Sequence, residues 1–414
     1  MRFWRDAIVS AQNARCPNGS MRTMVTQAVR FGLPPQRRPA RAPPRHTSPR
    51  AQNLWTGLAT TSVERVATTV PHSATVDHVA LYPLRFGPIY EYRPWGGRHL
   101  SGVLAEPLPG DGPIGEAWVL SDRQDHQSRV SDGPISGWAL GELLERFPEQ
   151  MLGEVPLRPG RFPLLLKFLD ARDLLSVQVH PADGQTKYLP AGDTGKTEAW
   201  VVLETGPQSV VYAGLRPGTT RESLQRAVDD GEVAGHLASF TPKPGDAVLL
   251  TAGTVHAVGG SVVFEISENS DVTFRLYDWD HVDAKTGQRR ALQVERAIAC
   301  TDFAQVALGP VVPVVEATTP ALRERLFDCD YFRLWRIRGQ LPFAVGAAGV
   351  PRLLVCTEGE GLVEYGEGTY HLGRGDVMLI PAAVGSCPFH PSGPVSLLEV
   401  AIPELVAKMR SGPK

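Results

Sequence analysis

The stretch from Leu174 to Trp200, LLSVQVHPADGQTKYLPAGDTGKTEAW, constrains the fold more than any other part of the chain. Val177 and Val179 alternate with Gln178 and His180. A period of two is that of a strand with one apolar and one polar face, so Gln178 and His180 project to the same side. Pro181 has no N–H to give a ladder and ends the strand. After a Gly-rich turn, Glu198 stands in TEAWVVLE, which reads as a second strand. A Gln, a His and a Glu on neighbouring strands supply the nitrogen and oxygen donors that a divalent metal accepts.

The fourth ligand candidate lies in KPGDAVLLTAGTVHAVGG. Gly245 and Asp246 form a turn, Ala247 to Leu250 a short strand, Gly253 a second turn, and His256 begins the next strand. This run resembles the second metal motif of cupin β-barrels, with Thr251 where that motif usually carries Pro. Two His, one Glu and one Gln with a position left for substrate describe a catalytic site rather than a closed structural one.

The net charge of −2 hides an asymmetry. Residues 1–75 hold eleven Arg and no Lys against Asp6 and Glu64, which leaves the remainder acidic and argues against a nucleic-acid partner. Residues 1–75 read as a disordered Arg/Pro-rich extension, in PPQRRPARAPPRHTSPR above all, because no apolar period runs through them. The segment also has the character of a transit peptide or a basic arm, and the preferred reading is upstream sequence ahead of a later start. Cys16, Cys300, Cys329, Cys356 and Cys387 are scattered without a C-x-x-C, which points to a reducing, cytoplasmic setting. No apolar run is long enough to cross a membrane, and no P-loop or dinucleotide fingerprint is present, so no nucleotide cofactor is expected.

The order of elements is mainly β. PLLLKFLDA (163–171) is a buried strand, and VVFEISENSDVTFRLYDWD (262–280) is two strands about an Asn-Ser-Asp turn. Alternation puts Glu265 and Ser267 on one face, Phe264 and Ile266 on the other. Leu140, Leu143, Leu144 and Phe147 recur at helical spacing and predict one amphipathic helix over 137–152. TTRESLQRAVDDGEV predicts another, with a capping box from Thr219 to Glu222. From about Gly309 a second all-β unit begins, with the cadence of a second cupin. It carries Ala382, Ala383 and Val384 where ligands would stand, and His371 and His390 are isolated.

PWGG (94–97), GEAW (115–118), LLLKFLDA (164–171), SVQVHP (176–181), GKTEAW (195–200), GTVHAV (253–258) and ENSDVTFRLYD (268–278) occur in one order. Together they resemble the type I mannose-6-phosphate isomerases, in their shorter bacterial form, over roughly 78–410. The resemblance implies two cupin (jelly-roll) barrels with a few short helices inserted in or flanking the first: a catalytic metal-binding domain at 76–308 and a metal-free cupin at 309–414. It implies an isomerase interconverting mannose 6-phosphate and fructose 6-phosphate with one Zn2+ per chain, held by Gln178, His180, Glu198 and His256. The family's catalytic arginine falls on Arg275. Departures are Thr251 and His281, the latter where the family more usually has Arg. The sugar phosphate would be the only partner, in a monomer or homodimer.

Aldose–ketose isomerisation moves a proton between C1 and C2 through an enediolate. It needs an electrophile for the oxygens and a proton shuttle. Arg275 suits the first need, and Lys196, Asp271 and Glu265 are candidates for the shuttle or its electrostatic support. Two other classes fit the same ligands: an iron-dependent cupin dioxygenase, and a sugar-phosphate-binding cupin without turnover. Metal analysis, oxygen uptake and an isomerase assay separate the three.

Overall fold

The computed structural model describes residues 80–403, except 105, 156–159, 284–285 and 306. They fall in one compact unit, Ser73–Lys414. The expectation for residues 1–75 lies outside the described residues. The fold is mainly β, and every strand pairing is antiparallel.

One sheet runs in the order Ala247–Leu250, Glu198–Leu215, His256–Glu268, Leu164–Ala171, Ile114–Leu120, Ile89–Gly97. The short strands Val177–Val179 and Phe274–Tyr277 extend it beside His256, and Leu237–Phe240 beside Glu198–Leu215. Its two faces sort by residue parity. Leu166, Phe168, Ala199, Val201, Phe264 and Ile266 lie in an apolar core that continues through Leu353, Leu379 and Leu398 of the C-terminal strands. Phe168 and Phe264 are fully buried there, and each contributes roughly 1.5–3 kcal/mol by leaving water. On the opposite face, Trp200 pairs with Glu265, Glu265 with Lys167, and Lys167 with Trp118, so a polar row lines the interior of the first β unit.

The C-terminal strands form a seven-stranded sheet and a four-stranded one. The seven-stranded sheet takes its edge strand, Leu84–Arg85, from the start of the described chain, where it pairs with Val377–Ile380. That strand and the shared apolar core tie the two β units together.

The single helix expected over 137–152 is instead two, Leu140–Arg146 and Pro148–Leu152. The ring of Pro148 disfavours helical backbone in the residue before it, and Phe147 sits at φ −132°, ψ 48°. The capping box is displaced by one residue. The helix begins at Arg221, Thr220 caps it, and Ser223 rather than Glu222 returns the bond to the Thr220 N–H. The strand expected at TEAWVVLE runs on as one long strand, Glu198–Leu215, which follows the whole length of its partner His256–Glu268 across a bulge near Gly260.

Candidate metal centre

Three ligand-type side chains meet inside the first β unit: His180, Glu198 and His256, each at most 2% exposed. His180 comes one residue after the Val177–Val179 strand, Glu198 opens its long strand, and His256 opens the neighbouring one. Their donor atoms all lie within 4.8 Å of one another. His180 Nε2 is 3.3 Å from Glu198 Oε2, and His256 Nε2 is 3.3 Å from Glu198 Oε1. Two donors about 2.05 Å from a tetrahedral ion stand about 3.3 Å apart, so both spacings suit one ion between them.

The tautomers point the same way. His180 Nδ1 is 2.9 Å from the Val272 carbonyl and His256 Nδ1 is 2.9 Å from the Thr254 carbonyl. A carbonyl only accepts, so each Nδ1 carries the proton and each Nε2 presents its lone pair. Neither Nε2 and neither Glu198 oxygen has a hydrogen-bond partner among the described residues. Four buried polar atoms without partners, converging on one point, are costly unless a cation occupies it. Burial holds the His256 pKa down to about 4 against the pull of Glu198, so the ring is neutral and free to ligate at neutral pH. Burial opposes the charge on Glu198, but the Lys196 ammonium beside it holds its carboxyl well below the usual range.

Gln178 lies directly opposite His256 on one side and Arg275 on the other, so all three share a face. Gln178 Nε2 and Arg275 Nε both donate to Ser176 Oγ, at 3.3 Å and 3.1 Å. A second bond from Arg275 reaches the Ala291 carbonyl at 2.9 Å. Burial and the nearby Arg290 lower its pKa.

Lys196 is buried with its Nζ 2.7 Å from Glu198 Oε2, outside hydrogen-bond geometry, and 3.1 Å from Glu265 Oε1. Burial alone would lower its pKa; Glu198 and Glu265 raise it instead, so it stays charged. Glu265 has both oxygens engaged, the second by Trp200 Nε1 at 3.2 Å. Asp271 is half-exposed and takes a 3.0 Å bond from Lys167. Burial would raise its pKa, but Lys167 and Lys196 bring it to about 2.

Sequence reading missed Lys167. It is 3% exposed, bonded to Asp271, 3.7 Å from Glu116, and its Nζ lies 4.0 Å from the centre of the Trp118 ring. Burial disfavours its charge, but Asp271 and Glu116 raise its pKa. The signal was one Lys on the polar-face parity of a strand, LLLKFLDA, whose only other polar residue, Asp170, falls on the opposite parity. Ser176, which anchors both Gln178 and Arg275, was missed as well.

The turn before His256 works without the motif's Pro. Gln305 donates to Thr251 Oγ1 at 2.8 Å, and the Gly253 N–H reaches the His180 carbonyl at 2.9 Å. Gly253 sits at φ +87°, where a side chain is strained. His371 and His390 are exposed and face Glu360 and Glu364, away from any cluster of metal-type ligands.

Residues 84–198 match the family described as phosphomannose isomerase type I, catalytic domain. The chain is 35% identical over 312 residues to the mannose-6-phosphate isomerase ManA of Bacillus subtilis, covering 73% of this chain and 94% of that protein. It is 31% identical to a mannose-6-phosphate isomerase of Streptococcus mutans over 299 residues, 71% of this chain and 91% of the relative. Among solved structures, the mannose 6-phosphate isomerase of Bacillus subtilis aligns with a TM-score of 0.71 at 27% identity, over 77% of this chain and 99% of that one. A phosphomannose isomerase from Salmonella typhimurium aligns at 0.62 and 18% identity, over 78% of this chain and all of that one, a likeness of fold.

Proposed function

The chain belongs to the type I phosphomannose isomerase family, and from that premise we propose how it interconverts mannose 6-phosphate and fructose 6-phosphate: by metal-assisted proton transfer between C1 and C2 inside its first β unit. The family assignment does not favour the iron-dependent dioxygenase or the binding protein without turnover. One zinc ion per chain would be held by His180 Nε2, His256 Nε2 and Glu198, with the side-chain oxygen of Gln178 as fourth ligand. The observation that carries this reading is the convergence of four buried atoms of His180, Glu198 and His256 that have no hydrogen-bond partner, only one of them beside the Lys196 ammonium. Zinc, when bound, supplies Lewis-acid stabilisation of negative charge on a substrate oxygen.

The remaining work falls to the chain's own side chains. Arg275 stands across from Gln178 with its Nε and one terminal nitrogen fixed by Ser176 and Ala291, which leaves the other terminal nitrogen for substrate oxygen. A permanently charged guanidinium there stabilises an enediolate without competing for its proton. Lys196 and Glu265, buried and saturated with partners, act as electrostatic support: Lys196 sets the charge on Glu198, and Glu265 with Trp200 fixes Lys196. Asp271 is the half-exposed carboxylate of the set and the one a substrate reaches, so the proton shuttle is assigned to it. Lys167 keeps it ionised and therefore able to accept a proton.

In this reading 76–308 is the catalytic domain and 309–414 a metal-free second cupin. The one cluster of metal-type ligands among the described residues lies in the first. Among the described residues no helix is long and apolar enough to cross a membrane, and the four described cysteines are unpaired. The proposal further takes the enzyme to be cytoplasmic, monomeric or dimeric, with a sugar phosphate as its partner. A coupled assay with mannose 6-phosphate tests the whole: His256→Ala is expected to lose both its metal and its turnover.

A further inference from the structure

We propose that the C-terminal β unit takes part in the metal site through Tyr331, a positioning residue that fixes the Asp183 carboxylate and, through it, the segment that carries Glu198. The inference rests on the reading of His180, Glu198 and His256 as metal ligands.

Five successive residues before Glu198 are each held by a neighbour. Asp193 takes two bonds from Arg123, at 3.1 Å and 2.9 Å. The Thr194 carbonyl accepts from Ser270 Oγ at 2.9 Å. The Gly195 N–H donates to Asp183 Oδ1 at 2.8 Å, the Lys196 N–H to the Pro181 carbonyl at 3.0 Å, and the Thr197 N–H to Glu268 Oε1 at 2.8 Å. Two of these anchors, Pro181 and Asp183, lie in the turn immediately after His180. The turn leaving one ligand is therefore tied to the segment entering the next. The crossing is tight: a Cβ on Gly195 would stand 2.5 Å from the Asp183 nitrogen.

The second carboxylate oxygen of Asp183 is held from outside the first β unit. Tyr331 donates its hydroxyl to Asp183 Oδ2 at 3.2 Å. Tyr331 also lines a small crevice with Pro163, the anchored Thr194 and the anchor Glu268. Its own backbone is firm. The turn that carries it closes through Cys329 N–H to the Phe332 carbonyl at 3.1 Å, and Phe332 is fully buried. A hydrogen-bonded turn of the C-terminal unit thus places one hydroxyl on the carboxylate that joins the two ligand-bearing segments. Partners of metal ligands orient them and tune how tightly the ion is held.

The test uses the full chain loaded with zinc, in the variants Tyr331→Phe, Asp183→Asn and the double substitution. Zinc release to a chromogenic chelator, kcat and KM for mannose 6-phosphate, and the melting temperature are measured for each. Tyr331→Phe acts at one remove from the ligands, so it is expected to speed zinc release by a few-fold, below the roughly tenfold low end for losing a direct partner of a metal ligand, and to lower kcat with KM little changed. The double variant is expected to lose no more than Asp183→Asn alone, because the two residues act through one contact. Unchanged zinc release in Tyr331→Phe, a fall in melting temperature alone, or losses that multiply in the double variant overturn the proposal while leaving the ligand set intact. His256→Ala in the same series separates the two: if it too keeps its zinc, the ligand reading fails, and this inference with it.

Discussion

Replacing Lys196 by Met removes the one cation that touches both Glu198 and Glu265 and keeps most of the side-chain volume. Both carboxylates are buried, at 2.7 Å and 3.1 Å from the ammonium. At an effective dielectric near 20, each contact amounts to about 5–6 kcal/mol of attraction, from which the desolvation of three buried charges is subtracted. Breaking a buried pair by removing one partner costs roughly 3–5 kcal/mol, because the other charge is left buried without compensation. In a chain of this size about 1 kcal/mol moves the melting temperature by roughly 2 °C, so the metal-free variant is expected to melt about 6–10 °C below the wild type. Zinc opposes that loss, since a divalent ion against Glu198 replaces the missing positive charge. The gap between variant and wild type is therefore expected to narrow when both are loaded. Thermal unfolding of chelated and zinc-loaded protein, side by side, measures both numbers. A chelated variant that melts at the wild-type temperature, or a gap that zinc does not narrow, refutes the assignment of Lys196 as the counter-charge of the site.

Arg275→Lys is expected to lower kcat by roughly 10²-fold with KM little changed, since one ammonium cannot hold Ser176 and Ala291 and still reach an enediolate; a rise in KM alone assigns Arg275 to substrate binding. Asp271→Asn removes the partner of Lys167. Because the folded carboxyl is held at about 2, below its ordinary 3.8, its stabilising contribution is present above the unfolded pKa and is lost as pH falls towards the folded one. The difference in melting temperature between wild type and Asp271→Asn should therefore be full above about pH 5 and close towards pH 2; a difference constant across that range contradicts the ion pair. His371→Ala and His390→Ala should leave metal content at one ion per chain, and a drop on either would place a second site in the C-terminal unit.

The side chains proposed as ligands could be grouped from the sequence because a strand face repeats with period two. Gln178 and His180 fall on the same parity, and so do Lys196, Glu198 and Trp200. Register across strands was not legible. Nothing in the order of residues states that His256 stands opposite Gln178, or Gln178 opposite Arg275. Those alignments depend on turn lengths and on the bulge near Gly260. Lys167 was hidden because a Lys in an apolar run reads as a surface position until Glu116, Asp271 and the Trp118 ring are seen around it. Tyr331 and Asp183 lie 148 residues apart, and only the shared core of the two β units brings them together. The helix expected over 137–152 was right in its apolar face and wrong in its start and its continuity, since the backbone constraint from Pro148 outweighed the periodicity.

Metal content and turnover measured on one sample test the metal centre most directly. Purified protein is expected to hold one zinc ion per chain, to lose isomerase activity on mannose 6-phosphate when stripped by a chelator, and to regain it when zinc is returned; His256→Ala is expected to hold no stoichiometric metal under the same conditions. Full activity in demonstrably metal-free protein, or a full complement of zinc retained by His256→Ala, would contradict it.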